Sequence, residues 1–466
     1  MLFNSLEFLL FILILWPLYW GISNRQSRLV VLFLSSCLFY GWWSWTFLGM
    51  MLAVSVVIYF AGIAIERWRE ESAGRSKLIL TGCLILFLLI LFVFKYYDFA
   101  VTTLSKLTGF QATLLNLGPP VGISFYIFES ICYLVDIYQR RIPAEKHPLD
   151  VLVYIAFFPH LVAGPIVRPT DFLHQLEVKK DFDTAMFMEG LRQIFIGLIY
   201  KVAFADNIAQ FTDPVFANLA TTPNIGILFA VIGFYSQIYF DFAGYSLIAI
   251  GLARTLGFIL PENFRHPYIS RSPTEFWRRW HISLSQWLRD YLFIPLGGSR
   301  GTTLFVCRNL MITMILGGLW HGASASFLLW GALHGTALVV HKLWAKRFAN
   351  SPFRSTRWWG MTALILTQLF IFASWVPFRV TKWDEFVLVV RSLLWLRDDH
   401  TLTMPHIHWL ILFLPILVDH WFLGVKRMEE HAITLRRGLA WLYGGAFLIL
   451  MMISYTKVKT FIYFQF

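Results

Sequence analysis

The sequence predicts an all-α, polytopic integral membrane protein, and three observations support this fold class. Of the 466 residues, 58% are hydrophobic and only 14% are charged, whereas soluble globular domains carry about 25% charged residues. The mean hydropathy is +0.62. Uncharged runs such as residues 78–94 (LILTGCLILFLLILFVF) approach the roughly 20 apolar residues that span a bilayer as a helix.

The hydropathy pattern predicts a series of apolar spans and one broken element. The spans lie near residues 7–21, 29–47, 50–65, 78–95, 120–138, 151–166, 186–204, 225–252, 303–320, 323–342, 360–379, 406–424 and 437–454. The first lacks a basic leading region and a small-residue cleavage pattern, which indicates a retained span. Residues 157–169 (FFPHLVAGPIVRP) contain three prolines and a glycine, so we expect a re-entrant break there. With no flexible linker or solenoid repeat, one integral domain over residues 1–466 is the simplest organisation.

The formal net charge of +12 is distributed among short segments between spans. Basic loops near Arg25, at residues 67–77 and at residues 139–146 fall on one side if the first five spans alternate. This pattern follows the positive-inside rule and indicates cytoplasmic loops and contact with anionic lipid, not a nucleic-acid partner. The four cysteines lie singly in apolar runs, which is typical of packed thiols and not of disulfides or a metal site.

Residues 272–298 predict a helix that lies at the membrane interface. Ser272 is a favoured N-cap, Pro273 occupies the first helical position and Glu275 completes a capping box. An apolar face then recurs at helical spacing until Pro295, at Trp277, Trp280, Leu284, Trp287 and Tyr291. His281 falls near this face. Three arginines project elsewhere, where they either anchor lipid headgroups or contact a phosphate-bearing substrate: Arg278, Arg279 and Arg289.

Ionisable residues inside apolar segments are costly and are candidates for function. Asp241, in FYSQIYFDFAGYS, either orients a histidine or arginine or forms a structural salt bridge between helices. His160 lies in the broken element, where a capping or backbone-bonded histidine is the simpler interpretation.

Residues 316–335 (LGGLWHGASASFLLWGALHG) place two histidines directly before glycines. Gly318 and Gly322 form one G-x-x-x-G spacing and residues 331–335 form a second, and such spacings allow close helix approach. On one straight helix His321 and His334 would lie about 20 Å apart along the axis and on different faces. They could not then share a metal ion, and without an H-E-x-x-H or Cys/His motif we predict no metal.

These histidines therefore act either as a base or as hydrogen-bonding groups between helices. Together with His281, the histidines at positions 321 and 334 fall within 54 residues of one another, in a region with an interfacial helix and glycine-lined contacts. This clustering favours a functional role.

Several stretches together resemble the bacterial membrane-bound O-acyltransferase (MBOAT) family, in particular its members that O-acetylate alginate, cellulose or peptidoglycan. They are FFPHLVAGPIVRP, YFDFAGYS, FRHPYISRSPTEFWRRWHISLSQWLRDYLFIPLGG, LGGLWHGASASFLLWGALHG and the terminal FIYFQF. The resemblance implies an MBOAT-like helical fold around a central tunnel, with re-entrant and interfacial helices. His321 matches the invariant family histidine, His281 a second family histidine and His334 a recurring position of the alginate-type branch. Ala325 departs from the family, in which an aromatic residue is expected.

The resemblance also implies a reaction and a location in the bacterial inner membrane. An acetyl group moves from cytoplasmic acetyl-CoA, as co-substrate without a bound cofactor, to hydroxyls of an extracytoplasmic polysaccharide, directly or through a periplasmic acetyltransferase or accessory protein. His321 would be the general base, His281 would orient or bind a substrate, and Asp241 would hold an imidazole tautomer. Two alternatives stay open: a transporter or flippase for an envelope precursor, and an MBOAT enzyme that acylates a teichoic acid, lipid or protein.

Overall fold

The computed structural model describes residues 1–110, 113–162 and 164–397 together with Ile416, Asp419 and His420. The predicted span at residues 437–454 and the terminal FIYFQF lie outside the described residues, as does nearly all of the span predicted at residues 406–424. The regular elements of the described part are helical, which confirms the all-α class. In chain order the α-helices are α1 (Leu6–Gly21), α2 (Arg25–Gly41), α3 (Trp45–Glu71), α4 (Ala73–Leu91), α5 (Tyr97–Thr108), α6 (Ile123–Tyr138), α7 (Pro148–Ala156), α8 (Phe158–Leu161), α9 (Pro169–Glu177), α10 (Thr184–Leu198), α11 (Asp206–Ala217), α12 (Asn224–Thr255), α13 (Pro273–Arg279), α14 (Ile282–Leu288), α15 (Thr303–His321), α16 (Ala325–Arg347), α17 (Arg357–Arg379) and α18 (Trp383–Leu393).

Short polar side chains begin many of these helices. Ser44 accepts a hydrogen bond from the third backbone N–H of α3, and Thr302, Ser324 and Thr356 do the same for α15, α16 and α17. Each cap satisfies one of the four N–H groups that a helix start leaves without an intrahelical acceptor. Such capping matters more in an apolar environment, because water is not there to replace the missing acceptor.

Six helical segments of the described residues are long and apolar enough to cross a membrane. They are Trp45–Glu71, Ala73–Thr108, Thr184–Ala217, Asn224–Thr255, Thr303–His321 and Arg357–Arg379. Two of them are continuous only through a π-helical turn, at Phe92–Tyr96 and Ile199–Ala205. The other predicted spans that fall on described residues correspond to shorter helices such as α1, α2 and α6, or to α16. The chain is therefore a multi-pass membrane protein.

The predicted break at residues 157–169 is confirmed. Helix α7 ends at Ala156, α8 has only four residues, and the described residues between α8 and the start of α9 at Pro169 are not helical. His160 is fully buried in this break, where Nε2 donates to the Tyr154 carbonyl at 3.1 Å and Nδ1 lies 3.0 Å from a Glu129 carboxylate oxygen. The simpler interpretation of His160 as a bonded, structural histidine agrees with these contacts.

The chain divides into two compact units. The first comprises Met1–Phe195 and Tyr245–Pro261, and it contains α1–α9 and most of α10. Its core includes a tight aromatic cluster, in which the Phe8, Phe11 and Phe39 rings all pack on Phe158 at 5.4–6.3 Å. The second comprises Ile196–Gly244 and the described residues from Glu262 onwards, including α13–α18. The prediction of one integral domain stays a prediction.

Candidate active site

The second unit contains a helical hairpin that carries two of the candidate histidines. Helix α15 ends at His321, Gly322 is extended, and Ser324 caps the start of α16. The two helices pack antiparallel at very short range: a Cβ at Gly318 would collide with the Phe327 carbonyl, and a Cβ at Gly331 would collide with backbone atoms of α15. The structure thus confirms that these glycines permit close helix approach.

Residues 316–335 belong to two helices, in agreement with the separate spans predicted at residues 303–320 and 323–342, so the separation calculated for one straight helix does not apply. The chain reverses between His321 and Ser324, so axial separation along one helix no longer describes the two histidines. Instead the rings of His321 and His334 both contact the indole of Trp330, with centroid separations of 4.9 and 4.5 Å. The helix is interrupted here because Gly322 is extended and Ser324 caps a new helix.

His321 is 5% exposed and lies among aromatic rings. Its imidazole meets Trp320, Trp330 and Phe378 edge to face at 4.9–5.0 Å. The glycine that follows is required by this packing, because a Cβ at position 322 would overlap the ring of Phe327. The His321 imidazole is therefore surrounded by aromatic rings and has little contact with solvent.

His334 is fully buried, and its hydrogen bond indicates a structural role between two helices. Its Nε2 lies 3.1 Å from the Ser374 hydroxyl, and that hydroxyl donates its only proton to the Ile371 carbonyl at 2.7 Å. Ser374 must therefore accept from His334, which assigns the proton to Nε2. The contact ties α16 to α17.

The predicted interfacial helix is wrong as a single helix. Ser272 caps α13 as expected, accepting from the Glu275 N–H at 3.1 Å, but α13 ends at Arg279. His281 then adopts a left-handed backbone conformation (φ 42°), and α14 begins after it. The indoles of Trp277, Trp280 and Trp287 are at most 8% exposed. The break at His281 therefore ends the single helix that the amphipathic spacing predicted, and the location of this segment at the membrane interface stays a prediction.

The break turns His281 towards Asn263, a residue that the sequence reasoning missed. His281 Nδ1 lies 3.0 Å from Asn263 Oδ1, which also accepts from the Ser283 hydroxyl at 2.9 Å. Because this oxygen only accepts, Nδ1 carries the proton and Nε2 carries a lone pair. Within the described residues Nε2 is buried and has no hydrogen-bond partner. Asn263 is 18 residues away in the chain, and no local motif signals the pair.

The three histidines are linked by shared aromatic contacts. Trp320 meets the His281 ring at 5.8 Å and the His321 ring at 4.9 Å, while Trp330 meets His321 and His334. The structure therefore brings together the histidines that the sequence singled out, in one unit and around one set of indoles.

Burial lowers the pKa of His281 from its usual 6.5 to about 3, which has a consequence for stability at acid pH. A group with a lowered folded pKa binds more protons when unfolded, so its stabilising contribution is complete above about pH 6.5 and is lost as the pH falls towards 3. We expect the free energy of unfolding to drop by about 1 kcal/mol through His281 alone between pH 7 and 5.5. Thermal unfolding of the detergent-solubilised protein at a series of pH values measures this.

The matched variant is His281→Asn, because asparagine tolerates the left-handed backbone. Its melting temperature is expected to fall less steeply with acidification than that of the wild type. Parallel curves for the two proteins would contradict the assignment of the acid sensitivity to His281.

Asp241 lies in a buried ion cluster centred on Lys201, another residue that the sequence reasoning missed. Lys201 Nζ is 2.6 Å from Asp241 and 2.8 Å from Asp206, and the lysine and Asp241 side chains are 3% and 4% exposed. Lys201 lies in the π-helical turn Ile199–Ala205 and packs beside Gly244. A Cβ at position 244 would lie 2.9 Å from the backbone nitrogen of Lys201. These contacts match the structural alternative for Asp241, and its role towards a histidine stays a prediction.

The three arginines have different environments. Arg279 is held by Glu275 at 3.0 Å and by the Arg265 carbonyl at 3.1 Å, and both oxygens of Asp290 bind Arg289. Arg278 is exposed. Contact between these arginines and a phosphate-bearing substrate stays a prediction.

Taken together, these features define a multi-pass helical membrane protein with a buried histidine centre. A family profile described as "MBOAT, membrane-bound O-acyltransferase family" matches residues 38–376. The chain belongs to this family.

Curated relatives agree with the family assignment. The chain is 41% identical over 391 residues to the probable alginate O-acetylase AlgI of Azotobacter vinelandii, which covers 82% of this chain and 76% of that protein. It is 34% identical over 388 residues to the peptidoglycan O-acetyltransferase of Helicobacter pylori, with 78% and 73% covered. Similarity to the teichoic acid D-alanyltransferase of Bacillus subtilis is lower, at 29% over 269 residues, with 55% and 67% covered. The chain is therefore an O-acyltransferase, and a transporter or flippase is not supported.

Proposed function

We propose that this protein is an inner-membrane O-acetyltransferase that takes an acetyl group from cytoplasmic acetyl-CoA and passes it towards hydroxyls of an extracytoplasmic polysaccharide, directly or through a periplasmic protein. The observation that carries the proposal is the pair of buried histidines that share the Trp320 indole, His281 and His321. Two buried imidazoles beside one indole suit the transfer of an acyl group with one moving proton.

The proposed chemistry needs a base and a fixed acceptor of hydrogen bonds. His321 removes the proton of the attacking hydroxyl as the new C–O bond forms, and it returns that proton to the thiolate as the C–S bond breaks. His281 Nε2, whose lone pair is set by the bond from Nδ1 to Asn263, accepts a hydrogen bond from a substrate N–H or O–H and so positions it. A covalent acyl-histidine is not required.

The similarities favour a polysaccharide acceptor over a teichoic acid, lipid or protein. Relatives named for alginate and for peptidoglycan share 34–41% identity with this chain over most of its length. The relative named for teichoic acid is less similar and matches 55% of the chain.

The donor is tested with the purified protein in sealed proteoliposomes of known orientation. Acetyl-CoA labelled in the acetyl group is added on the face that carries the basic loops, and the acceptor polysaccharide, with its periplasmic partner where needed, is enclosed on the other. We expect labelled O-acetyl esters inside the vesicles. Free acetate and acetyl phosphate serve as controls and should give no label. Label only from one of those donors, or only when donor and acceptor share one side, would contradict the proposal.

A further inference from the structure

A second cluster of potential ligands lies in the same unit, outside the histidine centre. It consists of His266, Asp419 and His420, whose ligand atoms all lie within 4.8 Å of one another. Asp419 and His420 are 5% and 4% exposed. His266 precedes Asp419 by 153 residues, so no local spacing could have revealed the cluster.

One carboxylate oxygen in this cluster has three potential donors around it. Asp419 Oδ2 lies 2.9 Å from the Tyr239 hydroxyl, 3.1 Å from His420 Nδ1 and 3.3 Å from His266 Nδ1. A carboxylate oxygen has two lone pairs, so three N–H and O–H donors cannot all bond to it well. If the two imidazoles instead present lone pairs, no proton lies between the three ligand atoms, which are all within 4.8 Å of one another.

Two of the three separations in this cluster are close to those in a four-coordinate metal site. In a tetrahedral site with bonds of 2.0–2.1 Å to nitrogen and oxygen, neighbouring ligand atoms are about 3.3 Å apart. The two imidazole–carboxylate separations of 3.1 and 3.3 Å fall close to this edge length. We propose that His266, Asp419 and His420 bind a divalent transition-metal ion, of which Zn²⁺ is the best fit to two imidazoles and one carboxylate.

The surroundings provide the supporting contacts that metal ligands require. The Tyr200 hydroxyl donates to the other Asp419 oxygen, and Tyr239 donates to Oδ2, so both carboxylate oxygens are oriented. Tyr268 stacks on the His420 ring at 5.2 Å and fixes its plane. The His266 side chain is 29% exposed, which gives an ion a route to the site.

The same contacts also define the metal-free alternative. His420 Nδ1 lies 3.2 Å from the Ile416 carbonyl and would donate a proton to it if no ion were bound. The site is separate from the histidine centre but close to it, because Tyr268 also stacks on Trp280, the residue before His281. The proposed metal does not depend on the proposed function, and no step of acyl transfer is assigned to it.

The test measures metal directly. The full-length protein is purified through a tag without histidines, stripped with a chelator and titrated with Zn²⁺ and then Co²⁺. We expect one equivalent of Zn²⁺ by elemental analysis after desalting, and the intense visible absorption of four-coordinate Co²⁺. Asp419→Asn and His266→Asn should each lower the affinity at least 100-fold. Tyr200→Phe removes only a supporting hydrogen bond and should lower it about 10- to 100-fold.

His341→Asn is the matched control, since His341 is a half-buried histidine of the same unit whose Nδ1 bonds to Thr274. It should retain one equivalent of metal. Size-exclusion chromatography establishes that each variant is folded. Wild-type protein that retains no stoichiometric metal, a weak octahedral Co²⁺ spectrum, or unchanged affinity in both the Asp419 and His266 variants would overturn the proposal, and the wild-type measurements decide it even if a variant does not fold.

Discussion

Replacement of His321 by alanine is expected to reduce O-acetyl transfer by a factor on the order of 10² to 10⁴, the contribution of a positioned general base. The imidazole lies at the end of α15 with aromatic rings around it and is 5% exposed. At a position with so little exposure, water is a poor substitute for the lost base, because it has little access and no fixed position. The measurement is the amount of O-acetyl ester on the polysaccharide per unit of protein in the membrane.

The matched control is His174→Ala, an exposed histidine on α9 whose Nδ1 bonds to a backbone carbonyl in its own helix. It should leave acetylation unchanged. Undiminished acetylation by the His321 variant, at a wild-type level of protein in the membrane, would exclude this histidine as the base.

Variants at the other two histidines test the ranking of roles. His281→Ala is expected to lose most activity, because it removes the acceptor that Asn263 holds in place. His334→Ala removes a bond to Ser374 and should act chiefly through stability. The reverse order, with His334 essential and His281 dispensable, would overturn the assignment.

Replacement of Lys201 by methionine is expected to destabilise the folded protein by about 3–5 kcal/mol, the usual cost of removing one partner from a buried ion pair. The lysine lies between Asp241 and Asp206, and its side chain is 3% exposed. Without the cation the two carboxylates repel each other in surroundings of low dielectric constant. Thermal unfolding in detergent should show a large drop in melting temperature.

A second substitution separates charge from packing. Asp241→Asn in the Lys201→Met background removes one of the repelling charges, so the double variant should be more stable than Lys201→Met alone. Lys382→Met, in an ion pair whose lysine is 79% exposed, is the control and should cost at most about 1 kcal/mol. If Lys201→Met lowers the free energy of unfolding by no more than this control does, the buried cluster contributes no more to stability than an exposed ion pair.

Much of the fold could be predicted because its signals are local. Runs of apolar residues identified the long helices. Ser272 marked the start of α13, where its side chain accepts a hydrogen bond from the backbone N–H three residues later. The prolines at residues 157–169 predicted a break, and the glycines of residues 316–335 predicted close helix approach, because each effect acts on the backbone at that position.

The partners of the functional residues could not be predicted in this way. Asn263 and His281 are 18 residues apart, and His266 and Asp419 are 153 residues apart. Hydropathy and helical periodicity report which face of an element is apolar, but they do not report which distant element covers it. The continuous helix expected across His281 failed for this reason, since a contact with a distant asparagine accompanies the left-handed turn.

The sequence by itself determined the class of protein, the approximate spans and the three histidines worth testing, because composition, capping and family motifs depend only on residues that are near one another in the sequence. Only the tertiary structure decided that Trp330 contacts both His321 and His334, and that Lys201 is the cation beside Asp241. The physical reason is that buried polar groups must find partners within a few ångströms, and packing of the whole unit selects which side chains come that close.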